Sequence, residues 1–208
     1  MLLFSQKSSL VFHLLLLNKH IDEFQGFDGF DKSIKDAITN ANPAVQDGFW
    51  HGMKVTEALG YKKTDVSKFD MEFEAEGLPC EKCKFDLLLN ADAANPNNLL
   101  LVEFKSYQDV TKISLDQFKN YLSSVIGLRQ MKYIFNAQKL TTEQAKEGMK
   151  AFLIKNAFNL YKSTDNGGIG LDKCKTLFGD EMTTPQKLIA KLDTQEGFEE
   201  LLTFVEAK

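Results

Sequence analysis

Glu103 and Lys105 stand two residues apart in "NNLLLVEFKSY", residues 97–107, inside an otherwise apolar and aromatic run. Charged side chains are seldom buried in such a run unless they are paired, bound to a metal or used. Positions two apart on a strand point to one face, so Glu103 and Lys105 share a face with Leu99 and Leu101, while Leu100, Val102 and Phe104 take the other. Asp86 lies on the preceding strand-like segment, "KFDLLLNAD". A hairpin through the 91–98 turn is expected to bring its carboxylate beside that of Glu103. Two carboxylates so close repel unless a cation sits between them. A hard divalent ion such as Mg²⁺ or Mn²⁺ suits the arrangement, because it takes one or two carboxylates, keeps several waters and binds phosphate oxygens. The Lys105 ammonium would then orient or help deprotonate an attacking water and stabilise charge growing on the phosphate.

The surrounding pattern supplies elements to hold these groups. Asn42 followed by Pro43 starts a helix that runs to Gly60, with Val45, Phe49 and Met53 as its apolar stripe and Glu57 continuing the inward side. "KFDMEFEAEG" alternates as a strand with one wet face, and two strands follow, the third the most uniformly apolar and so expected at the centre. An amphipathic helix over 113–127 carries Leu115, Phe118, Leu122 and Val125, and "LRQMKYIFN" gives a fourth strand. "TTEQAKEGMKAFLIKNAFNLYK" is a long helix ended by the glycine-rich "STDNGGIG", and the tail reads as helical throughout. The order of helix, three strands, helix, strand and helix predicts an α/β fold with a mixed central sheet flanked by helices. Residues 1–40 read as an N-terminal appendage, 41–162 as the α/β core, and 163–208 as a helical extension packing on it.

An aspartate on one strand and glutamate-any-lysine on the next, in this frame, resembles the PD-(D/E)xK superfamily of restriction-endonuclease-like nucleases over about residues 42–137. The resemblance implies a metal-dependent endonuclease in which Asp86 and Glu103 hold Mg²⁺ or Mn²⁺ and Lys105 serves the water. It also implies that Glu57 on the first helix joins the site, that Gln117 contacts the site or the substrate, and that DNA is a more frequent substrate than RNA. The proline of the "PD" half is absent, since Phe85 precedes Asp86. The arrangement is also similar to nuclease domains of bacterial polymorphic toxins, which implies delivery into a target cell and an immunity protein as partner. The tripeptide by itself says little, since Glu206-Ala207-Lys208 matches it at the chain's end, where a fraying terminus is expected.

Other readings compete. The Glu103–Lys105 pair can be a structural ion pair on a non-catalytic interaction module, and Glu57 can lie at the helix edge and reach water. Ser114 and Gln117 form an S-x-x-Q capping pattern that accounts for the glutamine without a substrate. Cys80 and Cys83 in "PCEKC" resemble half a zinc knuckle, with Cys174 and a distant histidine the visible completion, so a small zinc-stabilised binding protein is an alternative. Otherwise they are two cysteines in a turn. His51 lies off the apolar stripe and reads as a surface or partly buried residue. Asp28 and Asp31 lack calcium-loop spacing.

Composition bounds the function. The chain has 208 residues, 43% of them hydrophobic and 26% charged, enough for one ordinary domain with a core. A net charge of −4 gives no global field for a polyanion, and Arg129 is the only arginine, so bidentate reading of guanine edges is not expected. Any nucleic-acid contact needs a local patch, for which Lys62, Lys63, Lys68, Lys82, Lys84, Lys112 and Lys119 are candidates. "LVFHLLLL" at 10–17 is far short of the roughly 20 residues of a membrane helix and lacks a cleavage site, so no membrane segment is expected and the cytoplasm, or a target cell, is the expected setting.

Overall fold

In a computed structural model, described over residues 2–72, 84–90 and 99–208, the chain folds around one mixed sheet. Strands β1 (Val66–Glu72), β2 (Lys84–Asn90), β3 (Leu99–Lys105), β4 (Met131–Phe135) and β5 (Val205–Ala207) lie in sequence order. The pairs β1–β2 and β2–β3 are antiparallel, and β3–β4 and β4–β5 are parallel. The α/β class, the mixed sheet and the flanking helices expected from the sequence are all present. Parallel pairing of β3 with β4 requires a crossover, supplied by α4 (Leu115–Ser124).

Both faces of the sheet are covered, which is why β3 is apolar nearly throughout. Leu101 on β3 faces the larger core with Phe118 and Leu122 of α4 and with Met149 and Leu153 of α5 (Thr142–Leu160). Val102, one residue on, faces a second core with Val55 of α3 (Pro43–Ala58). That core also contains Phe24 of α1 (Leu2–Phe24) and Phe30 of α2 (Phe30–Thr39). Residues 21–34, read as part of an appendage, therefore share a hydrophobic core with the sheet. Gly29 makes the close approach possible: its φ of +79° suits glycine, and a Cβ there would overlap the carbonyl of Phe69 on β1.

Beyond residue 162 the chain forms α6 (Leu171–Phe178), α7 (Pro185–Leu192) and α8 (Gln195–Leu201), whose Phe178, Leu188 and Phe198 are buried in the larger core. The end of the chain differs from the helical reading. Residues 205–207 are a strand, and Lys208 donates to the Phe135 carbonyl. Glu206-Ala207-Lys208 is thus fixed at the sheet edge, where Glu206 pairs with Lys132 and Lys208. Hydrophobic alternation is too short over three residues to announce such a strand.

His51 fastens α3 to the sheet. It is buried, contrary to the expectation of a surface or partly buried residue, and its Nε2 donates to the Ile134 carbonyl at 3.0 Å. Burial pushes its pKa below the ordinary 6.5, and neighbouring Lys139 and Lys54 push the same way, outweighing the Ile134 carbonyl and Asp47. As the pH falls through 6.5 the unfolded chain takes up a proton that the native chain refuses, so stability is lost below that value. Urea melts from pH 7.5 to 5 are expected to give a falling unfolding free energy, with a shallower slope in His51→Gln, whose amide retains a donor. An identical slope in the variant would remove His51 from the account.

Candidate active site

The β2–β3 ladder is paired from Asn90–Leu99 to Leu87–Val102. One further step in that register sets Asp86 across from Glu103. Here the Asp86 carboxylate accepts the Phe104 N–H at 2.7 Å, in place of a backbone carbonyl from β2. The β2–β3 ladder ends at Leu87–Val102, and Asp86, Glu103 and Lys105 lie just beyond that last pair.

Glu103 and Lys105 are 3% and 6% exposed. The Lys105 ammonium donates to Glu103 Oε1, and the Tyr121 hydroxyl donates to Glu103 Oε2 at 2.8 Å. Gln117 bridges the group: its Nε2 donates to the Tyr121 oxygen at 2.6 Å, and its Oε1 accepts from Lys105 at 3.4 Å. Gln117 and Tyr121 are one turn apart on α4, so a single helix face presents both. Ser114 does cap α4 by accepting from the Gln117 N–H, but the Gln117 side chain turns into the site. The glutamine thus serves the cap through its backbone and the site through its amide.

Burial alone would lower the Lys105 pKa, but the charge of Glu103, with contributions from Tyr107 and Asp86, raises it above the ordinary lysine value. Burial, and then the same Glu103 charge, push the Tyr121 hydroxyl well up, which keeps it a neutral donor. Phe85 stacks on the Tyr121 ring at 3.8 Å between centroids and fixes its position. Tyr133 pairs with Glu103 across the parallel β3–β4 ladder. Its hydroxyl is buried without a hydrogen-bond partner among the described residues, and burial and the charge of Glu103 raise its pKa well above the ordinary value. Neither tyrosine was singled out in the sequence. The spacing of four from Gln117 could have pointed to Tyr121, whereas Tyr133 needs the β3–β4 register.

Asp86, Glu103 and Lys105 line a cleft of about 410 Å³ between α2, α3 and the sheet. The end of β3 is pinned beside it: Ser106 donates to Asp47 at 2.7 Å and accepts from Asn136 at 2.9 Å, and Lys139 pairs with Asp47. Burial would raise the Asp47 carboxyl, but its bonds to Lys139 and Ser106 hold it below the usual range.

Glu57 is not brought to this group. It is exposed, pairs with Lys19 of α1 and does not line the cleft. The reason is helical phase: Gly48, Gly52 and Thr56 form the cleft-facing row of α3, and Glu57 lies about 100° beyond Thr56, toward α1. Nor do the candidate lysines gather there, since Lys105 is the one cation lining the cleft among the described residues. Lys62, Lys63 and Lys112 are exposed, Lys68 pairs with Asp28, and buried Lys119 is held by the Gly167 carbonyl and Asp116. Lys82 and the side chain of Lys84 lie outside the described residues.

Cys80 and Cys83 also lie outside the described residues. Cys174 is a free thiol in the larger core, its pKa pushed up by burial to about 12. No cluster of three or more His, Cys, Asp or Glu suited to a metal occurs among the described residues. Two carboxylates from β2 and β3 are the donor set of a hard ion that retains much of its water, and each carboxylate oxygen can accept from more than one side. On that chemistry Asp86 and Glu103 fit Mg²⁺ or Mn²⁺. No helix among the described residues is long and apolar enough to cross a membrane.

No family model matches the sequence, and no solved structure matches it. The chain is similar to the DNA repair protein RecO of Caldicellulosiruptor bescii, with 25% identity over 131 residues, covering 63% of this chain and 51% of that protein. It thus spans about half the length of the curated relative it matches.

Proposed function

We propose that the chain is a metal-dependent nuclease that hydrolyses phosphodiester bonds of nucleic acid, with DNA as the favoured substrate. The observation that carries this reading is the grouping of Asp86, Glu103, Lys105 and Gln117 just beyond the last β2–β3 pair, with the first three lining the cleft. The partial similarity to a protein named for DNA repair favours DNA over RNA.

Asp86 and Glu103 would hold the ion, which when bound supplies Lewis-acid polarisation of a phosphoryl oxygen and an acidified water. Lys105 stays protonated beside Glu103, so its role is to orient the water and to neutralise charge growing on the phosphate; it is not a base in that state. Gln117 and Tyr121 fix the Glu103 carboxylate and leave Lys105 little freedom to swing away. Water adds to phosphorus and gives up one proton to solvent, the bond to the leaving oxygen breaks, and that oxygen takes a proton from solvent.

The ion pair itself favours a second reading, a non-catalytic module in which Glu103 and Lys105 only hold β3 to α4. Purified chain with supercoiled plasmid, linear DNA and RNA, each with Mg²⁺, Mn²⁺ or a chelator, separates the two. Ion-dependent cleavage that the chelator stops is expected, with DNA cut faster than RNA. Intact substrates throughout would leave the non-catalytic module standing.

A further inference from the structure

The cleft continues well beyond the carboxylates, and its walls are of a different character. Half-buried aromatic rings from three elements face it: Phe49 of α3, Phe69 of β1 and Phe104 of β3, with Tyr107 just after β3. Ser33, Asp36 and Asn42 provide polar groups at the α2–α3 end. Lys105 is the one cation in the lining among the described residues, against the acids Asp36, Asp86 and Glu103.

A duplex is held through its phosphates by rows of lysine and arginine. Such walls do not supply that. They supply apolar aromatic surface with a few polar groups, in a volume within the range of about 300–1,000 Å³ that suits a small ligand. A base offers both of its faces and its polar edge only when it is out of the helical stack. The cleft reaches the carboxylates without interruption, so whatever fills it is adjacent to the phosphate on which they act.

We propose that this cleft accepts one unpaired base of the substrate strand, next to the phosphate at Glu103, so that the chain acts on single-stranded or locally unpaired nucleic acid. The proposal rests on the nuclease reading, and its occupant is testable apart from it. Gly48 lies on the cleft wall, and a Cβ built there meets nothing within 4 Å. Gly48→Leu therefore projects into the open space, and leucine is a better helix former than glycine.

Three measurements on the full chain decide the matter. Mg²⁺-dependent hydrolysis of methyl p-nitrophenyl phosphate, which has no base, reports the nuclease reading by itself. With matched oligonucleotides, a single strand is expected to be cut at least about 10-fold faster than the same strand in duplex, or than one abasic at the cleavage position, in line with the energy of stacking a base on an aromatic ring. Equal cleavage of all three, with the ester hydrolysed, would overturn the cleft proposal and leave the nuclease reading intact.

In a chelator, where nothing is cut, a single strand carrying 2-aminopurine is expected to change fluorescence on binding, and Gly48→Leu and Phe49→Ala are each expected to weaken that binding by about 10-fold. No fluorescence change with the unaltered chain would reject the base pocket whether or not the chain is an enzyme. A cooperative thermal melt shows whether each variant is folded, and either variant suffices.

Discussion

Glu103→Gln is expected to lower ion-dependent cleavage by at least about 100-fold, the scale on which removal of one charge-stabilising group acts in a water-excluded site. The substitution preserves the shape of the side chain and an oxygen that can accept from Tyr121, but removes the charge that an ion and Lys105 both require. The loss should fall on kcat at saturating substrate, because the proposed role of Glu103 is to hold the ion at the reacting phosphate and not to bind the remainder of the strand. It should persist as Mg²⁺ is raised well above the level that saturates the unaltered chain. Rates are compared on protein confirmed folded at the assay temperature. A decrease smaller than about 10-fold would remove Glu103 from the reaction and return the ion pair to a purely structural role.

The parts of this arrangement legible in the sequence were those set by short-range periodicity. Two-residue alternation placed Glu103 and Lys105 on one face, and the antiparallel register of β2 and β3 brings Asp86 to them, as the intervening turn suggested. Gln117 was legible only through the resemblance, which implies a contact from the helix after the third strand; its side chain does reach Lys105 and Tyr121. Glu57 could be read either into the site or at the helix edge reaching water, and the edge is where it lies, because α1 is a neighbour of α3 that no local pattern announces. With Lys19 at that boundary, an acid at the helix edge has a partner and no reason to turn inward. Tyr133 and β5 depend on contacts across the sheet, between residues far apart in the chain, and no local pattern encodes those. Among the described residues the lysines form no groove at the cleft because several are committed elsewhere: buried Lys119 closes the 163–170 loop, and Lys68 pairs with the segment before α2.

The largest effects on stability are expected at the same pair. Lys105→Met replaces the ammonium with an apolar end of similar length and leaves the buried Glu103 carboxylate with Tyr121 and a distant Gln117 as donors. An uncompensated buried charge of this kind costs about 3–5 kcal/mol. Glu103→Gln/Lys105→Met removes both charges at once, and replacing a buried ion pair with neutral groups of similar volume is often neutral or stabilising by about 1–4 kcal/mol. Urea melts of the unaltered chain, both single variants and the double variant form a closed cycle that measures the coupling directly. A double variant as stable as the parent or more so, yet unable to cleave, is expected, because groups held at a cost to folding are what a site arranged for chemistry requires. If the double variant instead loses as much stability as the worse single, the pair is structural cement for β3, and the burial of two charges in the apolar strand is explained without catalysis.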